Sequence, residues 1–354
     1  MNTKSVVAFV AGRSGGHILP ALTLAHKAKQ EQKTVLFFST KHPLDQKIIK
    51  GSPAVNMHIP VSLIGFSLGN PFKLLLFIAQ FIGACFKAWR TLRTHKVEEV
   101  VTTGGYISIP VCFAARMLKI PISLYELNVI PGRASYTIAA WATRVHICFT
   151  QTKSYFKNII CTKAEYPIRF NAQEKAITKE QAMAALSFSQ IKKTIFIAGG
   201  SQGSVFVNTL IKSWLTLNPH VHSLVQIIHQ TGAQDTTNWK AFYTEHEIPA
   251  LVFDYKDSLA IEYAAADLII CRAGAGTLFE ILFFNKPCLV IPLETRSTDH
   301  QKDNAAAMAA EHPELFSVLY EGQIKKNNTV LFSAINKHLY YKTTPVFKDK
   351  LVFE

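Results

Sequence analysis

The sequence lacks several patterns that would assign it quickly to a class of protein. Its six cysteines are scattered and form no CxxC pair, so they predict buried thiols in a reducing compartment rather than disulfides or metal ligands. It has no zinc-finger, RNP or basic-zipper pattern, which makes nucleic acid the weakest candidate partner. Acidic residues are few, 24 against 38 lysines and arginines. The resulting net charge of +14 suits a phosphorylated substrate or an anionic membrane.

The sequence also lacks an uncharged run long enough to cross a bilayer. The apolar segment LLLFIAQFIGACF has 13 uncharged residues between Lys73 and Lys87, whereas a membrane span needs about 20. A core helix is the ordinary interpretation of such a run. However, a glycine-rich loop with Phe66 and Phe72 precedes it, and basic residues flank it. The stretch Leu63–Arg93 therefore predicts a helix that docks on an anionic membrane surface, with Lys73, Lys87, Arg90 and Arg93 near the headgroups.

What the sequence has instead is a repeated strand–turn–helix unit. Val6–Val10 is typical of a buried parallel strand, and a glycine-rich turn and a helical pattern follow it. Such a turn presents free backbone N–H groups at a helix N-terminus, where phosphate groups bind. The same order returns in the second half, where Thr194–Ala198 leads through Gly199–Ser204 into another helix.

Strands and helices alternate throughout both halves, which is the pattern of α/β proteins with parallel sheets. Glycines or polar residues follow several strands, at the edge where ligands bind in open parallel sheets. The pattern lapses around Ala164–Asn171. We therefore predict two Rossmann-like domains that face each other across a cleft, with residues 1–165 in the first, residues 166–340 in the second and a tail at 341–354.

Several residues near the strand ends allow two interpretations. His17 in the first glycine turn is either incidental or a proton acceptor beside an anion site. Glu280 completes Thr277-Leu-Phe-Glu280, which resembles a helix capping box, yet a carboxylate after a strand also suits a ribose diol. Three others divide in the same way between turn or junction roles and ligand roles: Ser201 with phosphate, Arg169 with a diphosphate and Gln301 with sugar hydroxyls.

Seven ordered blocks, taken together, resemble one family. They read AGRSGGHILP, TTGGY, ELN with a following PG, YPIR, GGSQGS with Asn208, CRAGAGTLFE and TDHQKDNA. Over about residues 5 to 310 they resemble the MurG-type glycosyltransferases of peptidoglycan synthesis. The resemblance implies a GT-B fold and inverting transfer of N-acetylglucosamine from UDP-GlcNAc to an undecaprenyl-pyrophosphoryl-muramyl-pentapeptide. It also implies a peripheral protein at the cytoplasmic face of the membrane. The sequence has no DxD-like metal motif, so we expect no obligatory bound metal, and we expect no cofactor.

The resemblance also implies roles for individual residues. Near the donor sugar it places Ser14, Gly15, Gly16 and Asn128, and it assigns Gln301 to the sugar hydroxyls. For the diphosphate and ribose it implies Arg169, Ser201, Ala275, Gly276, Thr277, Leu278, Phe279 and Glu280, and for the base a main-chain contact at Lys256. On the acceptor side it implies His17, Tyr106, Glu126 and Asn208, with His17 also the candidate catalytic base.

Departures from the family pattern keep alternatives open. They are Arg13, Ser14, Tyr125, Leu127, Glu165, Tyr166, Gly276 and Phe279. A related transferase with another lipid acceptor would keep the donor blocks, and a catalytically degenerate membrane-associated relative would keep the fold without turnover. A Rossmann oxidoreductase is disfavoured because neither glycine loop is a clean GxGxxG with an acidic residue about 20 positions further on.

Overall fold

A computed structural model describes residues 4–12, 15–64, 71–200, 203–294 and 300–340. The chain divides into two compact units, Met1–Arg169 and Phe170–Glu354. The sequence places this boundary slightly earlier, between residues 165 and 166. The predicted tail, residues 341–354, lies outside the described residues.

The N-terminal unit is built on a parallel sheet. Its strands are β1 (Val6–Val10), β2 (Thr34–Thr40), β3 (Met57–Val61), β4 (Glu99–Thr102), β5 (Ile122–Glu126), β6 (Arg144–Ile147) and β7 (Cys161–Lys163). They lie in the order β3-β2-β1-β4-β5-β6-β7, and all their pairings are parallel. The helices are α1 (Gly15–Gln30), α2 (Pro43–Lys50), α3 (Pro71–Thr94), α4 (Ser108–Met117) and α5 (Arg133–Ala139).

Alternation along the strands gives this sheet an apolar core on each face. Val7 and Phe9 point to the face that α1 and α2 cover, where they pack with Ile18 and Ile49. Ala8 and Val10 point to the opposite face, where side chains of α3, α4 and α5 cover them. Because all the strands are parallel, their carboxyl ends lie at one edge of the sheet.

The C-terminal unit repeats this architecture. Its strands are β8 (Lys193–Ala198), β9 (Val225–Gln230), β10 (Ala250–Phe253), β11 (Leu268–Cys271), β12 (Cys288–Val290) and β13 (Phe316–Val318). They form a parallel sheet in the order β10-β9-β8-β11-β12-β13. The helices are α6 (Ala172–Lys175), α7 (Lys179–Leu186), α8 (Val205–Leu217), α9 (Trp239–Glu245), α10 (Ala260–Ala265), α11 (Ala275–Phe284), α12 (His300–Glu311), α13 (Glu321–Lys326) and α14 (Thr329–Tyr340). The predicted pair of parallel-sheet α/β domains is thus confirmed.

Helix α3 is longer than the apolar run from which it was predicted. Over Phe72–Thr94 it is long and apolar enough to cross a membrane by length and composition, and only 11% of its most apolar window is buried. Its C-terminal half belongs to the core of the unit, because Ala84, Ala88 and Leu92 are buried one turn apart. One stripe of α3 is therefore built into the protein, whereas much of its remaining apolar surface is exposed.

Candidate functional site

In the N-terminal unit, a double-glycine turn follows β4. Gly104 and Gly105 have φ angles of +90° and +88°, which side chains disfavour. A Cβ on Gly104 would also lie 2.9 Å from Ser135 Oγ and 3.8 Å from His17 Cε1. The glycine motif therefore lets this turn approach both α1 and α5.

His17 is held in α1 by the residue before that turn. Its Nδ1 lies 2.8 Å from Thr103 O, and Thr103 Oγ1 donates to His17 O at 2.9 Å. A carbonyl oxygen only accepts hydrogen bonds, so Nδ1 carries the hydrogen and Nε2 of the neutral ring keeps a lone pair. Burial lowers the pKa of His17, and the hydrogen bond to Thr103 opposes this shift. This arrangement suits a general base.

Glu126 and Asn128 lie at the end of β5. Glu126 is buried, and its Oε1 accepts from the Asn128 backbone N–H at 3.0 Å. Burial raises the pKa of Glu126, while hydrogen bonds from Ser135 and Asn128 oppose this shift. Glu126 thus joins the loop after β5 to α5, and Ser135 in turn lies against the Gly104 turn. The structure brings the predicted residues His17, Glu126 and Asn128 to one edge of the sheet.

Tyr106 lies at the same edge but faces a different neighbour. Its hydroxyl donates to Leu63 O at 3.1 Å. The ring lines a cavity of about 390 Å³, together with Lys41, His42 and Gln80. Gly15 and Gly16 begin α1, so the start of this helix carries no side chain at these two positions. Ser14 and Arg13 lie outside the described residues.

Two departures from the family pattern lie away from these polar groups. Tyr125 alternates with Glu126 on β5 and stacks on His146, with ring centroids 4.4 Å apart, on the opposite face of the sheet. Leu127 is buried. The ring of Tyr125 therefore lies on the other face of the sheet from Glu126, and the side chain of Leu127 lies in the interior.

The first glycine loop of the C-terminal unit follows β8. Gly203 has a φ of +74°, and a Cβ there would lie 2.1 Å from Thr231 O. Ser204 caps α8 by accepting from the Val207 N–H at 3.3 Å. Ser201 lies outside the described residues, so its predicted phosphate contact stays a prediction.

The second glycine loop leads directly into α11. The cap residue is Gly274, which has no side chain to bond the first turn. The backbone N–H groups of Ala275, Gly276 and Thr277 therefore form an uncapped helix N-terminus, which attracts anions. Because Thr277 lies inside the helix, the alternative in which it begins a capping box with Glu280 is wrong.

Leu278 does not have the character of a ligand residue. Its side chain is buried, and its N–H donates to Gly274 O at 3.1 Å. Its side chain fills the protein interior and its amide is used by the helix, which corrects its predicted part in donor binding. Phe279, the next residue, is half-buried.

Glu280 is half-buried on α11. Its Oε2 accepts from the hydroxyl of Tyr263 at 2.9 Å, and Tyr263 belongs to α10. Gln301, in the first turn of α12, accepts from the Leu293 N–H at 3.0 Å through Oε1. Both side chains are thus oriented by neighbouring elements.

Lys256 follows β10, and its Nζ lies 2.5 Å from Oε1 of the fully buried Glu262. This ion pair engages the side chain, which is compatible with a main-chain contact to the base. Arg169 is half-buried and is the last residue of the N-terminal unit.

Asn208 is fully buried, contrary to an accessible acceptor contact. Its Nδ2 donates to Thr231 O at 3.0 Å and to Asp235 Oδ2 at 2.7 Å. Its Oδ1 lies 3.0 Å from Nε2 of the buried His229. These bonds tie α8 to the loop after β9, so they support a structural role and not the predicted acceptor role.

Sequence reasoning assigned no role to Arg272 or His229. Arg272 stands between a buried strand and a glycine loop, which was the available signal. Burial lowers the pKa of His229 to about 3, and nothing local in VQIIHQ marks that burial. Among the residues that the structure describes, no group of three or more His, Cys, Asp or Glu is arranged to hold a metal ion.

Comparisons with known proteins agree with this architecture. The glycosyltransferase family 28 N-terminal domain matches residues 7–147, and the C-terminal domain of that family matches residues 194–338. The UDP-N-acetylglucosamine--N-acetylmuramyl-(pentapeptide) pyrophosphoryl-undecaprenol N-acetylglucosamine transferase of Protochlamydia amoebophila is 33% identical over 304 residues, which are 84% of this chain and 78% of that protein. The protein of the same name from Bacteroides fragilis is 30% identical, over 86% of this chain and 80% of its own.

A solved structure leads to the same family. The crystal structure of Acinetobacter baumannii MurG matches with a TM-score of 0.69 and 25% identity, and the match covers 95% of this chain and 91% of that one. Sequence and fold thus agree over most of the chain. The chain therefore belongs to the MurG type of glycosyltransferase family 28, with the GT-B fold.

Proposed function

We propose that this protein transfers N-acetylglucosamine from UDP-GlcNAc to a lipid-linked, pyrophosphate-bearing muramyl-peptide, with inversion at the sugar C1. The observation that carries the proposal is the tautomer of His17. The hydrogen bond from Nδ1 to Thr103 O leaves Nε2 as a proton acceptor in a ring that burial keeps neutral. Family membership supplies the donor and the acceptor class.

In the proposed reaction, His17 Nε2 takes the proton of the acceptor hydroxyl while that oxygen attacks C1. The bond from C1 to the diphosphate oxygen breaks, and UDP departs with the electron pair. The uncapped first turn of α11 stabilises the developing negative charge, and Arg169 adds a counter-charge. Glu126 holds the loop that presents Asn128, and both Glu126 and Tyr106 are proposed to lie on the acceptor side.

The remaining donor contacts are assigned to the C-terminal unit and the first glycine turn. Glu280, oriented by Tyr263, accepts from the ribose hydroxyls, and Gln301 bonds the sugar. The backbone at Lys256 meets the uracil. Further donor contacts are proposed for Ser14, Gly15, Gly16, Ser201, Ala275, Gly276, Thr277 and Phe279.

We further propose that α3 docks the protein on the anionic cytoplasmic face of the membrane. Phe72 is 84% exposed, and Leu75, Ile82 and Phe86 are also exposed. Arg90 is exposed on the same helix and is placed to meet lipid headgroups. Lys87, by contrast, donates to Pro60 O at 2.6 Å, so it is already engaged by the protein.

Release of UDP tests the proposed reaction. The enzyme is incubated with UDP-GlcNAc, UDP-glucose or UDP-GalNAc, with and without a short-chain lipid-pyrophosphoryl-muramyl-peptide. We expect acceptor-dependent UDP release from UDP-GlcNAc and a product heavier by one N-acetylhexosamine. Release that is acceptor-dependent only with a different lipid would favour a related transferase, and UDP binding without any turnover would favour a degenerate relative.

A further inference from the structure

The side chain of Arg272 connects three parts of the C-terminal unit. Its Nε donates to Ser204 Oγ, in the loop after β8, at 2.9 Å. Its Nη1 donates to Ile291 O, after β12, at 3.1 Å and to Glu321 Oε1, at the start of α13, at 2.6 Å. The side chain is only 11% exposed. We call these contacts the Arg272 brace.

The carboxylate that pairs with Arg272, that of Glu321, is held in place by a second contact. Glu321 is buried, and its Oε2 accepts from Lys325 at 2.9 Å. Arg272 and Lys325 also lie over the ring of Phe206, at 5.4 and 5.2 Å from its centroid. The guanidinium therefore has a neutralising carboxylate and an aromatic surface, which favours one orientation.

The braced loops are those that carry the proposed donor contacts. Ser204 ends the glycine loop of Ser201, and Arg272 itself begins the loop that leads into α11. Ile291 lies two residues before Leu293, whose N–H donates to Gln301. The loops after β8, β11 and β12 are glycine-rich or irregular. Their positions therefore depend on side-chain contacts such as those of Arg272.

We propose that Arg272 is a positioning residue for the donor diphosphate, which rests on the proposed function. It sets the spacing between Ser204, at the end of the β8–α8 loop, and the N-terminus of α11, whose uncapped backbone N–H groups then meet the diphosphate. Lysine cannot replace it, because a single ammonium does not reproduce the forked directions of Nε and Nη1.

The first experiment measures amide hydrogen exchange in the ligand-free protein. Arg272→Lys should speed exchange in residues 203–207 and 290–294 and leave sheet strands β8 and β11 protected. Arg144→Lys is the matched control, because Arg144 pairs with Glu99 in the other unit and is well exposed. Unchanged exchange in the braced loops would overturn the brace, whether or not UDP is the ligand.

The second experiment separates positioning from general stability by comparing two ligands. Arg272→Lys should weaken UDP binding by about tenfold or more, raise the KM for UDP-GlcNAc and also lower kcat, because the same backbone N–H groups are proposed to stabilise the departing diphosphate. Uridine, which has no diphosphate, should bind within twofold of wild type. Parallel loss of both ligands with a lower Tm would show a merely structural role and overturn the proposal.

Ser204→Ala keeps the test decisive if Arg272→Lys does not fold, because it removes the acceptor of the Nε bond and leaves Arg272 in place, although it also removes the cap bond from the Val207 N–H. Ser204→Ala should also weaken the binding of UDP more than the binding of uridine, but by a smaller factor than Arg272→Lys. An unchanged ratio of the two affinities, relative to wild type, would overturn the proposal. Failure of the wild-type protein to bind UDP would instead count against the proposed function, and the exchange experiment would still decide the brace.

Discussion

At the scale of single residues, His17 is expected to act in the chemical step. His17→Ala should lower kcat by about 10²–10⁴-fold, with UDP affinity near that of wild type, because its Nε2 is proposed to accept the proton of the attacking hydroxyl. Steady-state kinetics and calorimetry with UDP measure the two effects. His26→Ala, at an exposed position of the same helix, is the control. Unchanged kcat with weaker UDP binding would show that His17 belongs to the donor side.

The pH dependence of the reaction follows from the same side chain. Burial lowers the pKa of His17 below its usual 6.5, so the neutral, basic form persists as the pH falls to 6.5 and below. The acidic limb of the kcat profile should therefore have its midpoint below pH 6.5. A midpoint clearly above 6.5 would assign the proton acceptor to another group.

Glu280 is expected to serve the donor and not the helix cap. Glu280→Gln should raise the KM for UDP-GlcNAc strongly and leave the Tm almost unmoved, because Gly274 and not Thr277 precedes the first turn of α11. Tyr263→Phe, which removes the hydroxyl that orients the carboxylate, should raise the KM less. Glu245→Gln, at the exposed end of α9, serves as the control. A loss of about 0.5–2 kcal/mol of stability with normal kinetics would contradict the assignment.

At the scale of elements, α3 is expected to hold the protein on anionic vesicles. A variant with Phe72→Ser, Ile82→Ser and Arg90→Glu should co-sediment much less than wild type, because it loses apolar insertion and about 1 kcal/mol for each basic side chain at the surface. Added salt should weaken binding of the wild type. Phe66, which the sequence also suggested as a membrane contact, lies outside the described residues and is therefore not changed in this variant.

A control variant for α3 carries the same kinds of change elsewhere. Ile160 and Ile191 are 92% and 94% exposed, so Ile160→Ser and Ile191→Ser with Lys157→Glu remove similar apolar area and charge. This variant should sediment as wild type does. If both variants lose binding equally, attraction is a property of the whole basic surface and not of α3.

At the scale of the whole molecule, burial of His229 couples folding to pH. Its pKa in the folded state is about 3, below the unfolded value of about 6.5, and the nearby Asp235 opposes the shift. The unfolded state therefore binds more protons between these values. Stability is fully present above pH 6.5 and falls as the pH is lowered towards 3, by up to roughly 5 kcal/mol for this group.

Replacement of this histidine tests the coupling. His229→Gln keeps one donor and one acceptor for Asn208 and Tyr243 but cannot titrate, so its Tm should fall less steeply between pH 6.5 and 4. His220→Gln, at an exposed position, should follow the wild-type curve. Parallel curves for wild type and His229→Gln would show that other groups carry the acid sensitivity.

The sequence by itself determined the class of fold and the family. Apolar β-branched runs followed by glycines are local signals, so Val6–Val10 and Thr194–Ala198 with their turns were predictable, and the ordered motifs identified the relatives. It missed β3, where Pro60 interrupts the pattern. Pro60 is tolerated because β3 is an edge strand that pairs only with β2.

Only the tertiary structure decided which polar groups remain available for chemistry. Glu280 and Asn208 were equally polar candidates in the sequence, yet one is half-buried beside Tyr263, and the other is buried with every side-chain group bonded. Arg272 likewise reaches partners 68 and 49 positions away. Such contacts depend on how strands are ordered in a sheet, and residue spacing along the chain does not encode that order locally.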